Sequence, residues 1–155
     1  DNLLHFYDGG HIKNQALEKA LSDYLGWSHY QIHPYAVDFD QDLANQFTDN
    51  RIRFGITATN SGFYGPQGRS LRLAPTIKYF NEKLAGFSYD GRQITNLEME
   101  TSGMYGLAKL HGHRAVSLNA ILANRATGEF SKNGHRTIDE LIQFTLEHLS
   151  KSQLV

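Results

Sequence analysis

Cysteine is absent from the 155-residue sequence, which excludes a disulfide framework and thiolate chemistry. No apolar run approaches the roughly 18 residues that a membrane-spanning helix needs, and no signal peptide is visible. An excess of basic charge is also missing, because 15 Lys and Arg side chains face 16 Asp and Glu side chains. Since general nucleic-acid binders usually carry such an excess, we predict no nucleic-acid partner. The lack of a membrane-spanning run predicts no membrane partner, and the lack of cysteine is compatible with the cytoplasmic location that we predict.

Common catalytic motifs are missing as well. The sequence contains no phosphate-binding loop of the GxxxxGKS or GxxxxGKT type and no GxSxG elbow, so no motif indicates a nucleoside triphosphatase or a serine hydrolase. His111 and His113 form a close pair of histidines, and no third ligand follows at a matching spacing. We therefore predict no metal site.

The composition, with 40% hydrophobic and 20% charged residues, is typical of one globular domain. Strand-like and helix-like patterns alternate, which predicts an α/β fold with a mixed β-sheet flanked by helices. Periodicity predicts strands at 31–37, 52–59 and 114–123, a hairpin at 87–97, and helices at 12–25, 40–48, 75–85 and from Glu100 to Gly112. A capping box at Thr137–Glu140 predicts the start of a last helix, whose inward side chains are Ile138, Leu141, Ile142, Leu146 and Leu149.

Three polar blocks directly follow predicted strands, at the sheet edge where α/β proteins bind ligands. The first is the glycine-rich loop 60–69, in which Phe63 offers an aromatic face to a flat ring. Gln67 can read an adjacent N–H and C=O, and Arg69 offers a planar fork to a carbonyl that gains negative charge. The alternative is an ordinary surface loop with a solvated arginine.

The second block is Glu98-Met99-Glu100, and the third is Asn124-Arg125. The two carboxylates can accept sugar hydroxyls and favour an oxocarbenium-like transition state, with Met99 in apolar contact with the sugar. Alternatively, Glu100 caps the following helix and Arg125 pairs with one of the two glutamates. Together the blocks suit a ligand with a flat hydrogen-bonding ring and a polyhydroxyl sugar.

These residues resemble the nucleoside phosphorylase superfamily, and within it the uridine phosphorylases. The resemblance rests on the order and spacing of the blocks 62–69, 96–102 and 123–125. It implies that Phe63 packs on the base, that Gln67 and Arg69 bond the uracil edge, and that Leu122 and Ala123 line the base pocket. It further implies that Glu98, Met99 and Glu100 hold the ribose, with Arg69 and Glu100 as the catalytic pair.

The resemblance implies reversible phosphorolysis of uridine, with phosphate as co-substrate, no cofactor, and a homo-oligomer built from dimers. The phosphate-binding segments in the first half of family members have no counterpart that we find here. We therefore expect residues 1–155 to be the C-terminal part of a nucleoside phosphorylase domain, and so an incomplete domain. The alternatives are a hydrolytic nucleosidase, a non-catalytic nucleoside-binding module, or a half that folds only by dimerising.

Overall fold

The computed structural model describes residues 9–30 and 33–152, and it confirms the mixed α/β class. The elements are α1 (Gln15–Leu25), α2 (Gln41–Asn45), β1 (Ile56–Thr59), α3 (Phe80–Gly86), β2 (Ser88–Tyr89), β3 (Arg92–Glu98), α4 (Thr101–Leu110), β4 (Ala123–Asn124), β5 (Glu129–Phe130) and α5 (Gly134–Ser152). Short 3₁₀ turns are described at Gly10–Ile12, Trp27–Tyr30 and Gly65–Gln67.

The central strand is β3, which pairs in parallel with β1 and antiparallel with β2. The β2–β3 hairpin confirms its prediction from the Asp90-Gly91 turn, where both residues have positive φ (49° and 71°), as a tight two-residue hairpin requires. In the parallel pair, Thr59 is the register partner of Glu98. The segments that leave β1 and β3 therefore start side by side at one edge of the sheet.

Two helix starts follow local capping chemistry. Asn14 accepts a hydrogen bond from the Leu17 amide at 3.0 Å and so begins α1 three residues later than predicted. Asp40 caps α2 in the same way, because its side chain accepts a hydrogen bond from the Leu43 amide at 2.7 Å. The predicted helices at 12–25 and 40–48 are thus confirmed with shorter bounds.

The predicted strand at 114–123 is wrong for most of its length. Within the described chain, its ladder is limited to Ala123 and the adjoining Asn124, which pair with β5, a short strand that the sequence pattern did not predict. Upstream, the Ser117 amide donates a hydrogen bond of 2.7 Å to the Tyr105 hydroxyl. Its partner is therefore a side chain and not the backbone of a neighbouring strand. A largely apolar run becomes a strand only when another backbone lies beside it, and sequence alone does not show that neighbour.

The predicted strand at 31–37 also fails where it is described. Gln31 and Ile32 lie outside the described residues, and residues 33–36 have no strand structure. Val37 forms a single antiparallel bridge with Lys13. Pro34 has no N–H to contribute to a ladder, which fits this outcome.

Two predicted helix starts are corrected. The helix predicted at 75–85 begins at Phe80, after Tyr79 with φ 55°, so Pro75 does not lie in its first turn. The capping box is wrong because α5 begins before it, at Gly134. The Thr137 hydroxyl donates to the Asn133 carbonyl at 3.2 Å, and Glu140 pairs with Arg136 at 2.7 Å. The same residue types fit interior i,i+4 pairs of a helix as well as a cap.

The inward face predicted for α5 is also wrong. Phe144 is the buried residue of this helix, with its ring 6.4 Å from Phe47 and 4.1 Å from His148. Four of the five residues predicted to face inward are exposed, and only Leu141 is half-buried; the exposed four are Ile138, Ile142, Leu146 and Leu149. The buried apolar residues elsewhere are Leu25, Ala44, Phe47, Leu84 and Phe87. In the part of the chain that the structure describes, no helix has both the length and the apolar character that crossing a membrane requires.

Candidate active site

The loop that leaves β1 is tightly turned around a 3₁₀ segment, Gly65–Gln67. The amides of Gln67 and Arg69 both donate to the Tyr64 carbonyl, at 3.1 and 3.0 Å. Gly68 closes the turn with φ 73°, and a Cβ there would lie 3.1 Å from the Asn81 side chain. Glycine therefore permits both this conformation and the close approach of α3. The turn directs Gln67 inward.

Gln67 is the most constrained polar side chain of the site. It is only 2% exposed, and its Oε1 accepts hydrogen bonds from Arg69 Nη1, at 3.0 Å, and from Arg125 Nη2. Arg125 Nη1 also donates to the Gln67 backbone carbonyl at 3.2 Å. Because guanidinium groups only donate, these contacts set which end of the amide is the oxygen. We call Gln67, Arg69 and Arg125 the amide clamp.

The amide clamp concentrates positive charge. Partial burial, together with the nearby positive charge of Arg69, lowers the pKa of Arg125 from its ordinary value. Such a pair of cations favours a ligand that presents a carbonyl, or an atom that gains negative charge, over one that presents another cation.

Phe63 and Arg69 lie against each other. The Arg69 guanidinium stacks over the Phe63 ring at 3.6 Å from its centroid, and Arg69 Nη1 donates to the Phe63 carbonyl. Tyr64 meets the same ring edge-on at 5.3 Å. Phe63 is nevertheless 50% exposed, so part of its surface remains open to a flat ligand.

Glu98 is tied into the backbone at the end of β3. Its Oε1 accepts from the Thr59 hydroxyl at 2.5 Å, and its Oε2 accepts from the amides of Glu100 and Thr101 at 2.7 and 2.6 Å. Burial opposes ionisation, but these hydrogen bonds outweigh it, so the pKa of Glu98 lies below its ordinary value. The capping role considered for Glu100 thus falls to Glu98.

Met99 and Glu100 are exposed. Glu100 Oε2 accepts from the Met99 amide at 3.1 Å and makes no cap bond to α4. Since the Asn60 amide donates to the Glu98 carbonyl at 2.8 Å, the loop 60–69 and the Glu98–Glu100 block leave adjacent strand ends. The structure therefore brings the first two blocks to one sheet edge.

Leu122 and Ala123 border a wide cleft rather than a closed pocket. Leu122 is half-buried and Ala123 is exposed, and both line a cleft of about 2480 Å³ that also reaches Arg125. Small-molecule sites usually have roughly 300–1,000 Å³. The cleft that these two residues border is therefore too open to enclose a base tightly.

Arg125, which the sequence placed in the third polar block without an assigned ligand contact, joins the loop 60–69 through Gln67. The pairing with Glu98 or Glu100 that we considered for it is wrong, because it contacts Gln67. Its only signal was its place at the end of an apolar run. Among residues 9–30 and 33–152, no group of three His, Asp or Glu side chains could hold a metal ion.

The chain is similar to known proteins of one superfamily. The model of the phosphorylase superfamily matches residues 1–152. A uridine phosphorylase from Thermococcus kodakarensis (strain ATCC BAA-918 / JCM 12380 / KOD1) is 40% identical over 89 residues, which cover 56% of this chain and 30% of that protein. The match thus spans less than a third of this relative's length. No solved structure matches the chain.

Proposed function

This chain belongs to the phosphorylase superfamily, and on that premise we propose that it supplies base and ribose recognition to a nucleoside phosphorylase that acts on uridine. The name of the relative from Thermococcus kodakarensis supports the choice of uridine. The reaction we propose is reversible phosphorolysis, in which uridine and phosphate give uracil and ribose 1-phosphate.

The amide clamp is the observation that carries this proposal. When the bond between C1′ of the sugar and the base nitrogen breaks, its electron pair moves into the base and makes a carbonyl oxygen more negative. Arg69 is the residue that we assign to this charge, and Gln67 presents its amide next to it. Fixed donors aimed at developing charge lower the barrier more than they strengthen ground-state binding.

The ribose is assigned to Met99 and Glu100, at the end of β3 next to the loop 60–69. As the glycosidic bond loosens, positive character grows on the sugar, and the Glu100 carboxylate both accepts its hydroxyls and favours that charge. A phosphate oxygen then forms the new bond to C1′, and the departing base takes a proton from solvent. Phe63, Leu122 and Ala123 are the apolar contacts that we assign to the base.

A chromatographic assay of this chain with uridine, in the presence and absence of phosphate, tests the proposal. Uridine binding is the result expected from the recognition that we propose for this chain, and phosphate-dependent uracil formation would mean that the chain also binds phosphate and performs the whole reaction. Uracil formed equally well without phosphate would indicate a nucleosidase instead. Uridine binding by calorimetry without turnover would restrict the chain to base and ribose recognition, as in an incomplete phosphorylase or a nucleoside-binding module. Neither binding nor turnover would refute the proposal for this chain.

A single substitution tests the recognition of the base separately from turnover. Gln67→Ala should reduce the preference for uridine over inosine, because a base edge loses its buried partner. An unchanged preference would mean that Gln67 does not read the base.

The homo-oligomer built from dimers is also part of the proposal. Size-exclusion chromatography with light scattering should give a mass of at least twice the 17.5 kDa of one chain. A mass of one chain would contradict it.

A further inference from the structure

We propose that Glu98 is a positioning residue, which holds the backbone of Met99, Glu100 and Thr101 in place rather than touching the sugar itself. This inference rests on the proposed assignment of ribose to Glu100. It departs from the expectation that both glutamates contact the sugar.

The hydrogen bonds of Glu98 support this role. A carboxylate offers about four acceptor positions, and three are occupied by protein donors at 2.5 to 2.7 Å. Both positions of Oε2 are used by the amides of Glu100 and Thr101. Little acceptor capacity is left for two sugar hydroxyls.

The network extends to the neighbouring strand. Thr59 donates to Glu98 Oε1, and its hydroxyl oxygen accepts from the Ser102 amide at 3.0 Å. Ser102 in turn shares a hydrogen bond of 3.0 Å with the Tyr35 hydroxyl. Glu98 and Thr59 thus join the ends of β3 and β1 to the first turn of α4.

The consequence concerns Glu100. Its amide is held by Glu98, while its carboxylate is exposed and does not cap α4. Glu98 therefore sets the direction in which Met99 and Glu100 leave the strand. The two similar side chains have separate tasks, with one acting on the backbone and the other on the ligand.

The test compares Glu98→Ala, Glu98→Gln and Glu100→Ala in the full chain. Amide hydrogen exchange at Glu100 and Thr101 is followed by NMR without ligand, and the Kd for uridine and for uracil is measured by calorimetry. Glu98→Ala should lower protection at both amides by at least about tenfold and raise the Kd for uridine, but not for uracil, about tenfold.

Glu98→Gln is the decisive variant, because its carbonyl oxygen can still accept from both amides. It should retain protection and the Kd for uridine within about threefold of the parent. Glu100→Ala should weaken uridine binding while the Thr101 amide stays protected. Glu98→Gln losing as much uridine affinity as Glu98→Ala, with the amides still protected, would overturn the proposal.

Further outcomes separate the positioning role of Glu98 from the proposed function. Unchanged protection in Glu98→Ala would refute the positioning role whatever the chain binds. If the parent binds neither uridine nor uracil, the proposed function fails, yet lost protection in Glu98→Ala still supports the role of Glu98 in holding the backbone. Should Glu98→Ala not fold, Thr59→Val replaces it, and unchanged Thr101 protection together with unchanged uridine binding would then count against the network.

Discussion

Replacing Arg125 with alanine should destabilise the protein by about 2 kcal/mol. The change removes two hydrogen bonds to Gln67, one to the amide oxygen and one to the backbone carbonyl at 3.2 Å. Gln67 is 2% exposed, so water cannot readily replace the lost donors.

The magnitude follows from the number and kind of contacts. A hydrogen bond that involves a charged group contributes about 1.5–3 kcal/mol. Arg69 still donates to the same Oε1 in the variant, and Arg125 is only half-buried, so the two contributions do not simply add. We therefore expect about 2 kcal/mol, which lowers the Tm of a chain of this length by about 4–8 °C.

Urea and thermal unfolding measure this loss against a matched control. Arg136 forms an i,i+4 ion pair with Glu140 at 2.7 Å, with its side chain 78% exposed. Arg136→Ala removes the same side chain from a solvated pair and should lower the free energy of unfolding much less than Arg125→Ala does. Arg125→Lys, which keeps the charge but not the fork, should fall between the two.

The reasoning is refuted if Arg125→Ala and Arg136→Ala have the same unfolding midpoint. It is also refuted if Arg125→Lys is as stable as the parent, because the bidentate geometry would then contribute nothing.

Three further predictions concern single positions. Glu98 has a lowered pKa, so its ionised form stabilises the fold above its ordinary pKa of 4.5, and this stabilisation is lost as the pH falls through the folded value. Glu98→Gln should thus lower the urea midpoint at neutral pH and by less in acid; equal losses would contradict this. Gly68→Ala should lower the free energy of unfolding by more than Gly91→Ala does. Both glycines have left-handed φ, but of the two only Gly68 has a neighbouring side chain that an added Cβ would meet. Equal unfolding free energies of the two variants would argue against that close approach. Phe144→Ala should lower the free energy of unfolding by about 3–5 kcal/mol, because this side chain is buried. Ile142, which is 52% exposed, should lose less than about 1 kcal/mol on substitution by alanine. Similar losses for the two variants in chemical unfolding would disprove the observed orientation of α5.

Local signals explain what could be predicted. The β2–β3 hairpin depends on two adjacent residues that accept positive φ, Asp90 and Gly91, and the start of α1 depends on an asparagine three residues before the amide it accepts from. The first two polar blocks could be placed at one sheet edge because parallel strands share their carboxyl ends. Each of these signals acts within a few residues of the chain or follows from strand direction alone.

Other features could not be predicted because they depend on which element lies beside which. Arg125 and Gln67 are 58 residues apart, and no local pattern states that they meet. The choice between Glu98 and Glu100 as the cap depends on Thr59 arriving from the next strand.

The sequence by itself determined the family, the α/β class, the hairpin and the position of the polar blocks after β1 and β3, because these depend on residue identity, spacing and local backbone preference. Only the tertiary structure decided the partners of those residues, the buried face of α5 and the fate of the apolar run 114–123. The physical reason is that burial and strand pairing are properties of neighbours in space. A run such as Val116–Ala123 fits a strand or an extended segment equally well until the chain folds around it.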